Sequence, residues 1–328
     1  MNKLIFSIFL SAALSITSFA NTSNDTKNHI QNTLYQAGLQ ATIQNIRPSG
    51  IGDLLLVEIK DGPMPLLITP KGDYLIQGHP ENNPSPAVLI QKSLQTKQPA
   101  GTPITGEYKN LLLANTKNLK NMTADSMFFY TNIHGILWGV SGQGGTPFLI
   151  SADGRYFING DISSIKNGEF SEIDSEFEWS KNNHVLASLD KKSLIAYPAD
   201  NQKAVVYIAT DVHCPYCRLF HKDIKKYNQK GISVFVIGYP VYDESPEIMR
   251  QIWCETDNKK RQMLLDSAMK NSNTIKNNHC KTTHNPLAQN QKTAQALAIM
   301  ATPAIFREDG VLFEGDFRDD EFFKFLGL

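Results

Sequence analysis

Two stretches of the chain alternate apolar and polar residues on either side of a turn, and each predicts a β-hairpin. The first covers Pro65–Gly78 and the second covers Pro147–Gly160. They align without a gap at an offset of 82 residues, and seven of their 14 positions are identical. The identities include proline, tyrosine and isoleucine as well as the turn glycines that unrelated hairpins share. We therefore interpret the N-terminal half as one small module that has been duplicated.

The same offset relates the elements in front of the two hairpins. Strands are predicted at Leu54–Ile59 and Ile136–Val140, and helices at Lys27–Gly38 and Tyr108–Lys120. The predicted helix-plus-sheet modules span residues 21–90 and 91–168. Neither module contains cysteine, so we expect them to serve as scaffold or binding surface rather than as catalytic sites.

Residues 169–192 place apolar side chains at roughly helical spacing. Acidic residues crowd the front of this segment, and Lys191 and Lys192 stand at its end. That order of charges complements the helix dipole. The pattern predicts a linker helix; the alternative is a charged loop with a helical bias.

The C-terminal part, residues 193–328, has the pattern of an α/β domain. Buried strands are predicted at Ala204–Ala209 and Ile232–Gly238, joined by an amphipathic helix that begins at the CPYC sequence and runs to about Gln229. Helical segments follow, and then strand patterns and a last short helix; these lie at Ser245–Lys270, Pro286–Met300, Thr302–Phe306, Val311–Glu314 and Asp319–Leu326.

The first 20 residues have the layout of a secretory signal peptide. Lys3 precedes an apolar run of 13 residues, Leu4–Ile16, and Ser18-Phe19-Ala20 is a small-x-small ending. A membrane anchor is the alternative, but a span needs about 20 apolar residues. We expect cleavage after Ala20 and export to the periplasm as a soluble protein.

Charge narrows the possible partners. The 32 basic residues equal the 32 acidic residues in number, without a basic block. The sequence therefore does not support binding to nucleic acid or to an anionic membrane surface.

The chemistry is expected in Cys214-Pro215-Tyr216-Cys217, between a buried strand and a helix. A cysteine at a helix N-terminus has its thiolate stabilised by unpaired amide groups and by the dipole, and proline suits the first turn. Cys214 is thus the predicted nucleophile, and Cys217, one turn later, the predicted resolving thiol. His213 is expected to favour the thiolate further. A zinc site that includes His221 and a purely structural disulfide are the alternatives; no metal or cofactor is predicted.

Two further pairs complete the predicted site residues. Thr302-Pro303 lies between a helix and a short strand, where a cis peptide beside the active site would let the backbone pair with an extended substrate. Cys254 and Cys280 flank a helical insertion and are interpreted as a structural disulfide that stabilises by about 3 kcal/mol. Free thiols, or a site with His279 and His284, are the alternatives for that pair.

Together these residues resemble the DsbC/DsbG family of bacterial periplasmic disulfide isomerases. The resemblance covers Ile30–Gly78, which looks like the family's cystatin-like dimerisation module, and several segments of the catalytic domain: Ser193–Tyr197, the strand before Cys214, Ile252–Cys254, Cys280 and Thr302–Ala304. It implies an α+β/α/β protein with a thioredoxin-fold catalytic domain and a helical insertion. It also implies a V-shaped homodimer, mis-bridged exported proteins as substrates, and a DsbD-like membrane thiol reductase as electron donor.

Two departures limit the resemblance. The Pro-Tyr dipeptide looks like the DsbG branch, whereas the Cys254/Cys280 pair looks like DsbC, so substrate preference is not assigned. The family usually carries one dimerisation module and this chain carries two. Either the copies pair inside one chain and leave a monomer, or they form a longer-armed homodimer, which we favour. The expected function is disulfide isomerase and reductase; the alternatives are a dithiol oxidase and a holdase-type chaperone.

Overall fold

The computed structural model describes residues 13–84, 88–143, 145–270 and 286–328, with side chains from residue 24 onward. Its first helix, α1, spans Ala13–Gln36 and so starts inside the predicted signal segment and passes through the predicted cleavage point. None of the helices in these ranges combines the length and apolar character needed to cross a membrane.

The two parts of the N-terminal half carry the same order of elements. In the first part α1 is followed by five strands: β1 (Ile43–Pro48), β2 (Leu55–Ile59), β3 (Leu66–Ile68), β4 (Tyr74–Gln77) and β5 (Pro80–Asn82). In the second part the corresponding elements are α2 (Gly106–Thr116), β6 (Met127–Tyr130), β7 (Ile136–Val140), β8 (Pro147–Ser151), β9 (Tyr156–Ile158) and β10 (Ile162–Lys166). The predicted hairpins are the antiparallel pairs β3–β4 and β8–β9.

The two parts exchange their last strands. Strand β5 leaves the first part and pairs with β9, with Pro80 opposite Ile158, while β10 leaves the second part and pairs with β4, with Ile162 opposite Ile76. These two registers are equivalent under the 82-residue offset. The exchange therefore has the form of an isologous interface, in which the same patch serves both partners, but both partners belong to one chain.

Glycines occupy the point where the exchanged strands cross. A Cβ on Gly78 would stand 2.3 Å from the carbonyl oxygen of Asn159, and one on Gly160 would stand 2.8 Å from that of Gln77. Gly160 also has a φ of +111°. Only glycine lets the two backbones approach this closely, which explains why both copies of the repeat end in glycine.

The linker is shorter as a helix than the sequence pattern predicts. Residues Glu169–Ser171 form strand β11, which pairs with β10, and helix α3 covers only Ser175–Ala187. The strand forms because β10 offers it an unpaired edge, an interaction that helical periodicity does not report. Asp174 caps α3 by accepting a hydrogen bond from the backbone N–H of Phe177.

The C-terminal part forms a four-stranded sheet covered by helices. Its strands, in the spatial order β12-β14-β13-β15, are β12 (Ile195–Tyr197), β13 (Ala204–Thr210), β14 (Ile232–Gly238) and β15 (Ala304–Arg307). Strands β13 and β14 run parallel, and β15 is antiparallel to β13. The described helices are α4 (Pro215–Lys222), α5 (Ile224–Gln229), α6 (Ser245–Cys254), α7 (Asn258–Lys270), α8 (Pro286–Ala296) and α9 (Asp320–Phe325).

Three local predictions in this part need correction. The helix that begins at the CPYC sequence is interrupted at Asp223, which ends α4 and precedes α5. The helical segment predicted over Ser245–Lys270 is two helices, α6 and α7. Val311–Glu314 is not a full strand, because only Leu312 pairs, with Phe306.

One apolar core joins the N-terminal half, α3 and the catalytic sheet. It includes Leu67 and Trp138 from the first two sheets, Phe177 from α3, and Tyr207 and Phe306 from the third sheet. Buried apolar area is the main source of stability. The three parts are therefore expected to unfold together rather than as beads on a linker.

Candidate active site

Cys214 is the N-cap residue of α4, and Pro215 occupies the first helical turn. The Cys214 Sγ accepts a hydrogen bond from the backbone N–H of Cys217 at 3.4 Å. Its thiol also donates to the carbonyl oxygen of Thr302 at 3.2 Å. The sequence folds this way because the buried strand β13 ends at Thr210 and four residues later the chain must start a helix whose first amide groups lack partners.

The surroundings of Cys214 favour its ionised form. The pKa of its thiol is lowered to about 6, chiefly by a hydrogen bond from the Cys217 side chain. Burial opposes this shift, while the backbone N–H groups of Cys217 and Tyr216 and the Thr302 side chain add to it. At pH 7 a thiol with such a pKa is about nine-tenths thiolate, the form that attacks disulfides.

Cys217 has the opposite electrostatic character. It is completely buried, and burial raises the pKa of its thiol, as does the hydrogen bond with Cys214. Both cysteines are free thiols in the structure. The motif therefore pairs a ready nucleophile with a protonated partner one helical turn away.

The Thr302–Pro303 peptide bond is cis and lies directly in front of β15. The thiol–carbonyl contact at Thr302 brings this loop against Cys214. The structure thus brings together Cys214, Cys217, Thr302 and Pro303, which are 85 or more residues apart in sequence between the motif and the loop.

His213 takes part in a buried network rather than in a described hydrogen bond to the thiol. Its Nδ1 lies 2.7 Å from the Oγ of Ser245, which lies 2.5 Å from the Oδ1 of Asp211. The same carboxylate accepts backbone N–H groups of His213, Val241 and Tyr242. Because Ser245 donates to the carboxylate, its oxygen is left to accept the Nδ1–H of His213. The network fixes the loop that leads into Cys214.

Asp211 and Ser245 are the site residues that sequence reasoning missed. Both are fully buried, and a buried carboxylate requires the four hydrogen bonds that Asp211 receives. An acidic residue directly after a buried strand and three residues before the nucleophile was the available signal. Ser245, more than 30 residues away, carried none.

Four large side chains are exposed at positions that flank the motif. Tyr216 belongs to the motif, Val241 and Tyr242 follow β14 and bind Asp211 through their amides, and Met300 precedes the cis-proline loop. Between 43% and 79% of each side chain is exposed. We call these four residues the active-site collar. Exposed apolar groups around a reactive centre are typical of an interaction surface.

The remaining predicted positions lie elsewhere. His221, the third ligand of the zinc alternative, has its Nε2 2.7 Å from the Oδ1 of Asp266. Within the described ranges no group of three or more histidine, cysteine or acidic side chains is arranged to hold a metal ion. Cys254 is disulfide-bonded. Cys280, its predicted partner, and the alternative ligands His279 and His284 lie outside the described residues.

Comparison with known proteins supports a thiol-exchange role. A family model described as a thioredoxin-like domain matches residues 191–327. Curated relatives named thiol:disulfide interchange protein DsbC include one from Dickeya dadantii, 29% identical over 52% of this chain and 72% of that protein. Another, from Haemophilus influenzae, is 26% identical over 60% of this chain and 80% of that protein. The Escherichia coli K12 protein of that name is 25% identical over 54% and 71%.

Among solved structures, the catalytic domain of Proteus mirabilis ScsC aligns with 44% of this chain and 95% of its own length, at 20% identity and a TM-score of 0.33. At that score the likeness carries no argument beyond the family match. The sheet order, the cysteine-capped helix and the cis-proline loop together describe a thioredoxin-like fold of mixed α and β structure that is equipped for thiol–disulfide exchange.

Proposed function

We infer that this chain, which belongs to the DsbC-type thiol:disulfide interchange proteins, works as a disulfide isomerase and reductase on mis-bridged exported proteins in the periplasm. The observation that carries the proposal is the asymmetric pair of free thiols. Cys214 has a lowered pKa and Cys217 a raised one. An isomerase needs this combination, because one thiol must attack while the other waits.

The exchange begins when the Cys214 thiolate attacks one sulfur of a client disulfide. A mixed disulfide forms, and the other client sulfur leaves as a thiolate. When a client thiolate later attacks the mixed disulfide, Cys214 is released and the client keeps a rearranged set of disulfides, without net electron transfer. This is isomerisation.

Reduction follows when Cys217 attacks the mixed disulfide instead. Cys217 gives up its proton to the departing client thiolate, the Cys214–Cys217 disulfide forms, and the client leaves with both of its sulfurs reduced. Two electrons must then be returned to the enzyme, and a DsbD-like membrane thiol reductase is the proposed donor. The cis-proline loop supports the client strand beside the sulfurs, and the active-site collar holds its apolar side chains.

We further propose that the chain acts as a monomer, in place of the longer-armed homodimer that the sequence favoured. The exchange of β5 and β10 uses the patch of each copy inside the same chain, and an isologous patch used once is no longer available to a second chain. Light scattering of the mature protein should give the mass of one chain. A mass of two chains would support the homodimer.

A dithiol oxidase is the second candidate, for two reasons. A monomer suits an oxidase, and a strongly stabilised thiolate favours the reduced enzyme, which makes its disulfide form oxidising. Thiol trapping in cells separates the candidates. Cys214 found reduced supports isomerase or reductase, and Cys214 found oxidised supports oxidase.

The decisive experiment is refolding of a scrambled substrate with several disulfides, with wild type and Cys214→Ser compared. We expect the variant to lose rescue, because serine cannot form a mixed disulfide. Cys254 is already disulfide-bonded and cannot take over. Equal rescue by both proteins would overturn the isomerase proposal and favour a holdase-type chaperone.

A further inference from the structure

A second cavity lies apart from the thiol site, between the second sheet, helix α3 and the turn after β15. We call it the α3 cavity. Its volume is about 590 Å³, within the range of sites that bind ligands. We propose that it binds an extended segment of a client polypeptide in which a large apolar side chain lies close to a lysine or arginine. The proposal deepens the isomerase function and rests on it for the identity of the occupant.

The walls of the cavity are aromatic and aliphatic. Trp138 and Phe177 form part of its buried interior, with ring centroids 6.1 Å apart. Ile173, Trp179 and Leu312 line it as well and leave 46%, 46% and 39% of their surfaces exposed. A monomeric protein exposes large apolar groups together in this way chiefly where something else covers them. The walls therefore suit a large apolar side chain.

The charge of the lining is one-sided. It contains the carboxylates of Asp161, Asp174, Glu178 and Glu314, and none of its described residues is lysine, arginine or histidine. Two carboxylates are already engaged: Asp174 accepts from the Asn132 amide at 2.7 Å, and Glu178 lies 2.7 Å from the Nζ of Lys181. Asp161 and Glu314 are exposed at the edge. A cationic side chain of the occupant is the complementary group.

One buried acceptor in the lining also lacks a partner. Asn182 is only 4% exposed, and its Nδ2 donates to the carbonyl oxygen of Gly310 at 3.1 Å. That contact fixes which end of the amide is oxygen, because an oxygen there would face another acceptor. The Oδ1 has no hydrogen-bond partner among the described residues. An unmet buried acceptor costs about 1–3 kcal/mol, and a main-chain N–H of an extended segment would satisfy it.

Strand β15 connects this cavity to the thiol site and makes a client chain the best-fitting occupant. The strand starts directly after Pro303, and its residue Phe306 pairs with Leu312 at the cavity edge. Three residues of extended strand span about 10 Å. A client bound at the cis-proline loop could therefore place a segment only a few residues away into the cavity.

The test is binding of a cysteine-free, fluorescent peptide in which apolar and lysine residues alternate, measured by anisotropy on the mature protein. A peptide with glutamate in place of lysine is the charge control. We expect the lysine peptide to bind more tightly, and Trp179→Ala to weaken it about tenfold, since an aromatic anchor is lost. Met263→Ala, which removes a 70% exposed side chain on α7, should change nothing.

The charge argument is tested with Asp161→Asn combined with Glu314→Gln. This double variant should bind the two peptides alike and should lose the salt dependence of lysine-peptide binding. Unchanged affinity in Trp179→Ala, or equal binding of both peptides by wild type, would overturn the proposal. So would loss of binding in Tyr216→Ala alone, which would place the peptide on the active-site collar.

These outcomes are separable from those of the thiol chemistry. Because the peptide has no sulfur, Cys214→Ser should bind it as wild type does, whatever the refolding assay shows. Conversely, Trp179→Ala should reduce a small disulfide compound at the wild-type rate, since that residue lies outside the thiol site. Circular dichroism and the unfolding temperature of each variant exclude misfolding as the cause of lost binding.

Discussion

The lowered pKa of Cys214 can be dissected by changing its neighbour. The largest contribution comes from the Cys217 side chain, so Cys217→Ala should raise the Cys214 pKa. A hydrogen bond to a charged group contributes about 1.5–3 kcal/mol, and one pKa unit corresponds to about 1.36 kcal/mol. The Cys214 pKa should therefore move from about 6 upward by about one to two units.

The assay is the pH dependence of iodoacetamide alkylation, followed by mass spectrometry. Wild type should gain one adduct, because Cys217 is completely buried and its pKa is raised. Cys217→Ser is the matched control: its hydroxyl still donates to the sulfur, so the midpoint should stay within about half a unit of wild type.

An unchanged midpoint in Cys217→Ala would refute this reasoning. It would mean that the backbone N–H groups and the dipole at the start of α4 stabilise the thiolate by themselves. A midpoint raised equally in both variants would also contradict it, since the hydroxyl should preserve the bond.

Three further predictions concern stability, each measured by thermal or urea unfolding. Gly78→Ala should destabilise by more than 1 kcal/mol because its Cβ would meet a carbonyl oxygen at 2.3 Å, whereas Gly38→Ala, with no atom within 4 Å of its Cβ, should show only the smaller cost of its positive φ. Asp211→Asn should cost about 2–4 kcal/mol, because an amide cannot accept all four hydrogen bonds; Asp316→Asn, on the surface, should cost little. Finally, the lowered pKa of Cys214 stabilises the reduced fold at pH values above the unfolded thiol pKa, and this contribution should disappear as the pH falls through about 6.

Much of the local structure could be predicted from the sequence alone. Hairpins and strands such as β7 and β14 were located by apolar periodicity and turn residues, because those signals depend on neighbours in the chain. The cysteine pair was located because helix-capping chemistry needs only the residues at the start of a helix. The structure adds the contact of Cys214 with Thr302, which a local pattern does not report.

Other features depended on partners far away in sequence. Strand β11 was expected to be helical because its pairing partner, β10, is not visible in its own periodicity. The network of Asp211 and Ser245 was missed for the same reason. The α3 cavity exists only because residues of the second sheet, α3 and the turn after β15 meet there.

The 82-residue offset shows the difference most clearly. The sequence by itself determined that two similar modules follow one another and that a reactive cysteine pair lies behind them. Only the tertiary structure decided how the modules associate, because identical patches can pair within a chain or between chains with the same local pattern. The crossing at Gly78 and Gly160 joins them within the chain, since the short segments after β4 and β9 carry each strand directly onto the other sheet.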